Sequence, residues 1–194
     1  MKEIILASKS PRRKRLLSTI LGTNFKVHVS KYVEDNGLDL SPEEIAKKHS
    51  IGKAKDVAKH YNSGVIIAGD AFVVLNNEVL GKPKDEKDAF LMLKKQSGKW
   101  ISVIGGLCVL DLNENKEYFE LVTTNVKIAI LTDDEILSYI KTKDPMDKAG
   151  SFGMMDLGTV IVEEVQGCFS NVVGLPLPAL HKIFREIGIK IFDY

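Results

Sequence analysis

The run Glu3-Ile4-Ile5-Leu6-Ala7 is short, apolar and β-branched, and it hands over through Ser8-Lys9-Ser10 to Pro11, behind which residues 12–21 carry a helical pattern. A buried strand feeding a helix with proline in its first turn predicts an α/β fold. Ser10 falls near the N-cap. A helix N-terminus offers N–H groups and the positive end of a dipole, and the guanidiniums of Arg12 and Arg13 add forked donors, so the segment suits phosphate. It contains no glycine and is not the Gly-x-x-x-x-Gly-Lys-Ser/Thr loop, so side chains must do most of the holding. A capped surface helix with solvated arginines is the competing reading of the same residues.

The rest of the chain continues the alternation. Residues 24–30 alternate apolar Phe25, Val27 and Val29 with polar neighbours, as a half-exposed strand would. An acidic loop over residues 31–40 ends at Ser41-Pro42-Glu43-Glu44, a capping box that opens a long helix reaching about Tyr61. Gly52 in its middle costs about 1 kcal/mol relative to alanine, which hints at close packing or a close ligand. Val65-Ile66-Ile67-Ala68 reads as a buried strand ending at Gly69-Asp70, with Phe72-Val73-Val74-Leu75 resuming an extended run. Asn76-Asn77 makes a turn, residues 85–96 a helix, and residues 100–111 and 117–131 a long hairpin joined through Asn113-Glu114-Asn115. A helix capped at Thr132, a strand over 159–165, a loop through Asn171 and Gly174 and a helix over 178–187 complete the pattern. No repeats or linkers interrupt it, so the expectation is one mixed α/β unit over residues 1–194.

Composition narrows the partners. With 27 basic and 26 acidic side chains among 194 residues the net charge is +1, which argues against nucleic acid and anionic membranes. The basic cluster of Lys9, Arg12, Arg13, Lys14 and Arg15 is local and has no aromatics interleaved. No apolar run approaches a membrane span, and the N-terminal segment is not expected to be a signal peptide. Cys108 and Cys168 lack a Cys-x-x-Cys spacing and read as reduced thiols, so a cytoplasmic setting is expected.

His28, His49, His60 and His181 show no ligand spacing and are read as surface or packing residues. What remains is carboxylates with cations. Asp70 interrupts a buried apolar stretch, where an acid needs a cation or proton partner and would suit an oxygen-liking ion such as Mg²⁺. Lys53, Lys82, Glu34 and the pair Asp147-Lys148 each have an ordinary reading as solvated or loop residues.

Together the pieces Leu6-Ala7-Ser8-x-Ser10-Pro11-Arg12-Arg13, Gly69-Asp70, Gly81-Lys82-Pro83, Ser97-Gly98, Asp147-Lys148-Ala149-Gly150 and Ser170-Asn171-Val172-Val173-Gly174-Leu175-Pro176 resemble the Maf family of nucleoside triphosphate pyrophosphatases. The resemblance spans nearly the whole chain. It implies an elongated mixed sheet with flanking helices, two lobes and a central cleft, similar to inosine triphosphate pyrophosphatases, and commonly a homodimer. It also implies water-driven cleavage between the α and β phosphorus atoms of a nucleoside triphosphate, noncanonical and modified ones included, with a divalent cation such as Mg²⁺ or Mn²⁺. By motif position Asp70 would be the proton acceptor, Ser8, Arg12, Arg13, Lys53 and Lys82 would hold the triphosphate, and Glu34 with Asp70 would place metal. Two arginines, two lysines and a divalent cation come close to cancelling the roughly four charges of a triphosphate. A nucleotide-binding regulator of cell division without turnover is the alternative.

The chain departs from the dTTP- and UTP-directed branch of that family at Ala71, where threonine is usual after the aspartate, and at Met155, in the place of a glutamine. Methionine offers a soft apolar surface where glutamine would read a base edge by hydrogen bonds. Specificity should therefore be set by Arg12, Ala71 and Met155, and the expectation is a relaxed or shifted base preference.

Overall fold

A computed structural model describes residues 2–35 and 40–193. Its frame is a seven-stranded mixed sheet in the order β2-β1-β3-β5-β6-β7, with β4 paired to β3. The strands are β1 (Ile4–Leu6), β2 (Lys26–Val27), β3 (Val65–Leu75), β4 (Glu78–Leu80), β5 (Trp100–Asp111), β6 (Lys116–Ile128) and β7 (Val162–Gln166). The helices are α1 (Pro11–Leu21), α2 (Pro42–Ala58), α3 (Glu86–Gln96), α4 (Asp133–Lys141), α5 (Phe169–Val173) and α6 (Leu177–Glu186). β1 runs parallel to β2 and β3, while the β3–β4 and β6–β7 pairs are antiparallel.

The chain divides into two compact units, residues 1–71 with 105–122 and 174–194, and residues 72–104 with 123–173. In the first, Ile5, Ala7, Ile66, Ala68, Cys108 and Leu110 form one row-set that packs under Ala54 and Val57 of α2. Strand neighbours of opposite parity, Ile4, Leu6 and Ile67, are equally buried, as expected of central strands covered on both faces. α2 lies close to the sheet because of Gly106: a Cβ there would sit 2.7 Å from the Ala46 carbonyl oxygen and 3.0 Å from Ser50 Oγ. Ser10 caps α1 by accepting from the Arg13 amide, and Ser41 and Glu44 close a reciprocal capping box on α2.

In the second unit the loop after α4 is tied down by ions rather than left open. Lys148 is buried, and its Nζ lies 2.9 Å from both Asp144 Oδ1 and Asp147 Oδ1. Burial opposes its charge, yet the two carboxylates outweigh burial and raise its pKa above the ordinary lysine value. Gln96 donates to the Gly150 carbonyl at 2.7 Å, and the Gly150 amide donates to the Gly81 carbonyl at 3.0 Å. Asp147-Lys148 therefore serves to fix its own loop.

Four expectations change. β3 does not end at Gly69-Asp70 but runs unbroken through it, because Asp70 finds cations within its burial and needs no strand end to reach them. The strand expected over 24–30 shrinks to two exposed residues, β2. Residues 169–173, expected as loop, form α5, whose Asn171 Nδ2 donates to the Val103 carbonyl and to Thr124 Oγ1. β7 starts only at Val162, after a 3₁₀ turn over Leu157–Ile161. Cys108 and Cys168 are free thiols, and among the described residues no helix is long and apolar enough to cross a membrane.

Candidate active site

Side-chain alternation along β3 decides where Asp70 points. Ile66, Ala68 and Asp70 share one face, and Ile66 and Ala68 pack against α2. Along α2, His49, Lys53 and Val57 recur every four residues and are all buried, so one stripe of the helix meets this face. Val57 extends the apolar core, and one and two turns earlier the same stripe presents a lysine and a histidine to the aspartate.

The contacts are short. Lys53 Nζ lies 3.0 Å from Asp70 Oδ1 and 2.7 Å from Glu34 Oε1. His49 Nδ1 lies 3.0 Å from Asp70 Oδ2, and its Nε2 lies 3.1 Å from the Asp35 carbonyl oxygen. Arg13 Nη2 stands 3.9 Å from Asp70 Oδ1. Arg13 is aimed by two further contacts, Nε donating to the Gly174 carbonyl at 2.7 Å and Nη1 to Ser8 Oγ at 3.4 Å. Ser8 Oγ also accepts from the Ser10 amide at 3.1 Å. The last family-like segment thus contributes a carbonyl that orients the arginine of the first.

Electrostatics follow from this crowding. Burial lowers the Arg13 pKa, opposed by the charges of Asp70 and Glu34. For Glu34 burial pushes upward, but the hydrogen bond and charge of Lys53, with His49 and Arg13 behind it, hold the carboxyl below its usual range. Burial first, and then Glu34, Asp35 and Asp70, raise the Tyr32 phenol above its ordinary value. Three carboxylate or imidazole donors, from Glu34, His49 and Asp70, lie within 4.8 Å of one another. With His49 Nδ1 turned to Asp70, the ligands that suit a divalent cation are the two carboxylates, which Lys53 Nζ bridges here.

The structure gathers Ser8, Arg13, Glu34, Lys53 and Asp70 in the first unit, with Ala71 the next residue of β3 and Arg12 half-buried on α1. Lys82, exposed, and Met155, half-buried, belong to the second unit. Asp39, in the same acidic loop as Glu34, lies outside the described residues. His49 corrects its expected role: it is wholly buried against Asp70, and its spacing of four from Lys53 on α2 was the signal that could have found it. Tyr32 was also missed. Its ring lies edge-on to His49 at 5.8 Å and rests over Gly52, where an added Cβ would meet it at 2.3 Å.

That contact gives Gly52 its reason. A Gly→Ala change within a helix normally stabilises by about 1 kcal/mol. Here Gly52→Ala must push the Tyr32 ring away, so denaturant unfolding is expected to show no gain, or a loss, relative to wild type. A full gain in unfolding free energy would mean that the ring shifts without cost.

Comparison with known proteins bears on the whole chain. The family model described as Maf-like protein matches residues 3–187. A protein of Methanosarcina mazei named dTTP/UTP pyrophosphatase is 49% identical over 193 residues, covering 100% of this chain and 98% of that one. A Clostridium novyi protein of the same name is 46% identical over 195 residues, covering 97% and 100%. Among solved structures, a HAM1 protein from Coxiella burnetii aligns with a TM-score of 0.56 at 15% identity, over 96% of this chain and 100% of that one, a likeness of fold.

Proposed function

Because this chain belongs to the Maf-like family, we propose that the cluster around Asp70 hydrolyses the α–β anhydride of nucleoside triphosphates, releasing a nucleoside monophosphate and pyrophosphate. The observation that carries the reading is a nearly buried carboxylate ringed by Lys53, His49 and Arg13 beside a hydroxyl-bearing helix start. Phosphoryl transfer asks for positioning and charge neutralisation more than for covalent help, and this cluster offers both. Asp70 accepts the proton of the attacking water as its oxygen bonds to phosphorus, and the bridging oxygen leaves with pyrophosphate. An ionised carboxylate has about four acceptor positions, so the three contacts to Lys53, Arg13 and His49 leave Asp70 room for that proton. Arg12, Arg13 and Lys53 balance much of the triphosphate charge, with Ser8 as a further hydrogen-bonding group. A divalent cation held by Glu34, and by Asp70 once Lys53 turns to the triphosphate, would add Lewis-acid stabilisation of the phosphate oxygens.

The named activity of the relatives makes dTTP and UTP the first substrates to try. Ala71 brings no hydroxyl and Met155 no amide to this chain, so base discrimination should be loose. In a panel of common and modified triphosphates, with and without chelator, we expect pyrophosphate release from dTTP and UTP and from at least one other base within about 200-fold, since apolar contacts discriminate by roughly 10- to 200-fold at most. Nucleotide binding without any pyrophosphate release would reject the enzymatic reading. Turnover confined to dTTP and UTP would reject the loose selection alone.

A further inference from the structure

The two oxygens of Asp70 are held by different kinds of group. Oδ1 faces Lys53 and Arg13, long cations that the proposed reaction also assigns to the triphosphate. A cation drawn toward phosphate loosens its hold on the carboxylate. Oδ2 faces His49 Nδ1 at 3.0 Å. An ionised carboxylate only accepts, so the imidazole N–H is the donor in this contact. His49 is wholly buried, and its ring is fixed by the Asp70 contact, by the Tyr32 ring edge-on at 5.8 Å and by the backbone of α2 pressed to the sheet at Gly106.

We propose that His49 is a positioning residue for nucleotide hydrolysis: its Nδ1–H fixes the plane of the Asp70 carboxylate while Lys53 and Arg13 turn to the triphosphate. The role rests on the reading of Asp70 as proton acceptor. A buried, tethered imidazole suits it because the group cannot itself be drawn to phosphate. It also makes the orientation of the base independent of how far the cations move. Ring and carboxylate meet through the helix stripe shared with Lys53, so one element sets both the base and its counter-charge.

Two substitutions separate the two ends of the ring. In His49→Asn the side-chain amide nitrogen takes the place of Nδ1 and reaches Asp70. In His49→Gln it takes the place of Nε2 and reaches the Asp35 carbonyl instead. Both are assayed at equal folded fraction, verified by circular dichroism, with kcat and KM measured separately for dTTP or UTP. A misplaced catalytic group typically costs about 10- to 100-fold. His49→Gln is expected to lose about that much in kcat with KM within about threefold, and His49→Asn to exceed it in kcat by about fivefold or more. A packing role would lower both alike. A ratio below fivefold, or Gln above Asn, overturns the proposal. Asp70→Asn is measured alongside: turnover near wild type removes the base reading and the proposal with it, whereas an inactive Asp70→Asn beside equal variants at position 49 overturns the positioning role alone.

Discussion

Asp70→Asn should lower the rate of pyrophosphate release by about 10²- to 10⁴-fold, the usual contribution of a positioned proton acceptor. The amide keeps the shape of the side chain and removes its charge and its basicity. Nucleotide binding should hold or tighten, because a carboxylate that repels phosphate oxygens is gone. Removing one member of a buried ion pair is often strongly destabilising, since it strands the other charge. Here Lys53 keeps Glu34 at 2.7 Å, so the variant should remain folded with a lowered Tm. Initial rates and a binding isotherm on the same preparation check the result. A rate within tenfold of wild type would remove Asp70 from the chemistry.

Arg13→Lys should lower kcat/KM by about a hundredfold even though it conserves charge. The three guanidinium nitrogens of Arg13 point three ways, Nε to the Gly174 carbonyl, Nη1 to Ser8 Oγ and Nη2 toward Asp70. A single ammonium cannot reproduce that fork. Without its two anchoring hydrogen bonds the cation is misplaced at the phosphate, and a displacement of about 1 Å costs about a hundredfold. Steady-state kinetics against the substrate that wild type turns over best would show the drop. A lysine variant within about threefold of wild type would mean that charge alone matters here, contrary to the planar-fork argument.

Much of the fold was legible because its signals are local. The side chains of Ser10, Ser41 and Thr132 cap their helices by accepting from backbone amides three residues on, and Asn76-Asn77, both at positive φ, turn β3 into β4. The short strands and the end of β3 were misjudged for a physical reason. A polar residue in a buried run looks like a boundary, and only its tertiary partners reveal that the strand continues through it. Residues 169–173 failed similarly, since five residues carry too little periodicity to declare a helix and Asn171 is held by groups 47 and 68 residues away.

The candidate site divides along the same line. Asp70, Lys53, Glu34, Ser8 and Arg13 were readable as chemistry-bearing residues, and their motifs pointed to phosphate. Their partnership was not. A lone histidine such as His49 has no ligand spacing, and its partner is reached only by a contact across 21 residues between α2 and β3. The aim of Arg13 depends on a carbonyl 161 residues away.

By itself the sequence determined most of the strands and helices, the N-caps at Ser10, Ser41 and Thr132 and the family, because these depend on side-chain type and near-neighbour spacing. Only the tertiary structure decided which stripe of α2 meets which face of β3. That encounter gives Asp70 a lysine on one oxygen and an imidazole on the other, and it is set by the close approach of α2 to the sheet at Gly106, a contact between residues too far apart in sequence for any local window to contain.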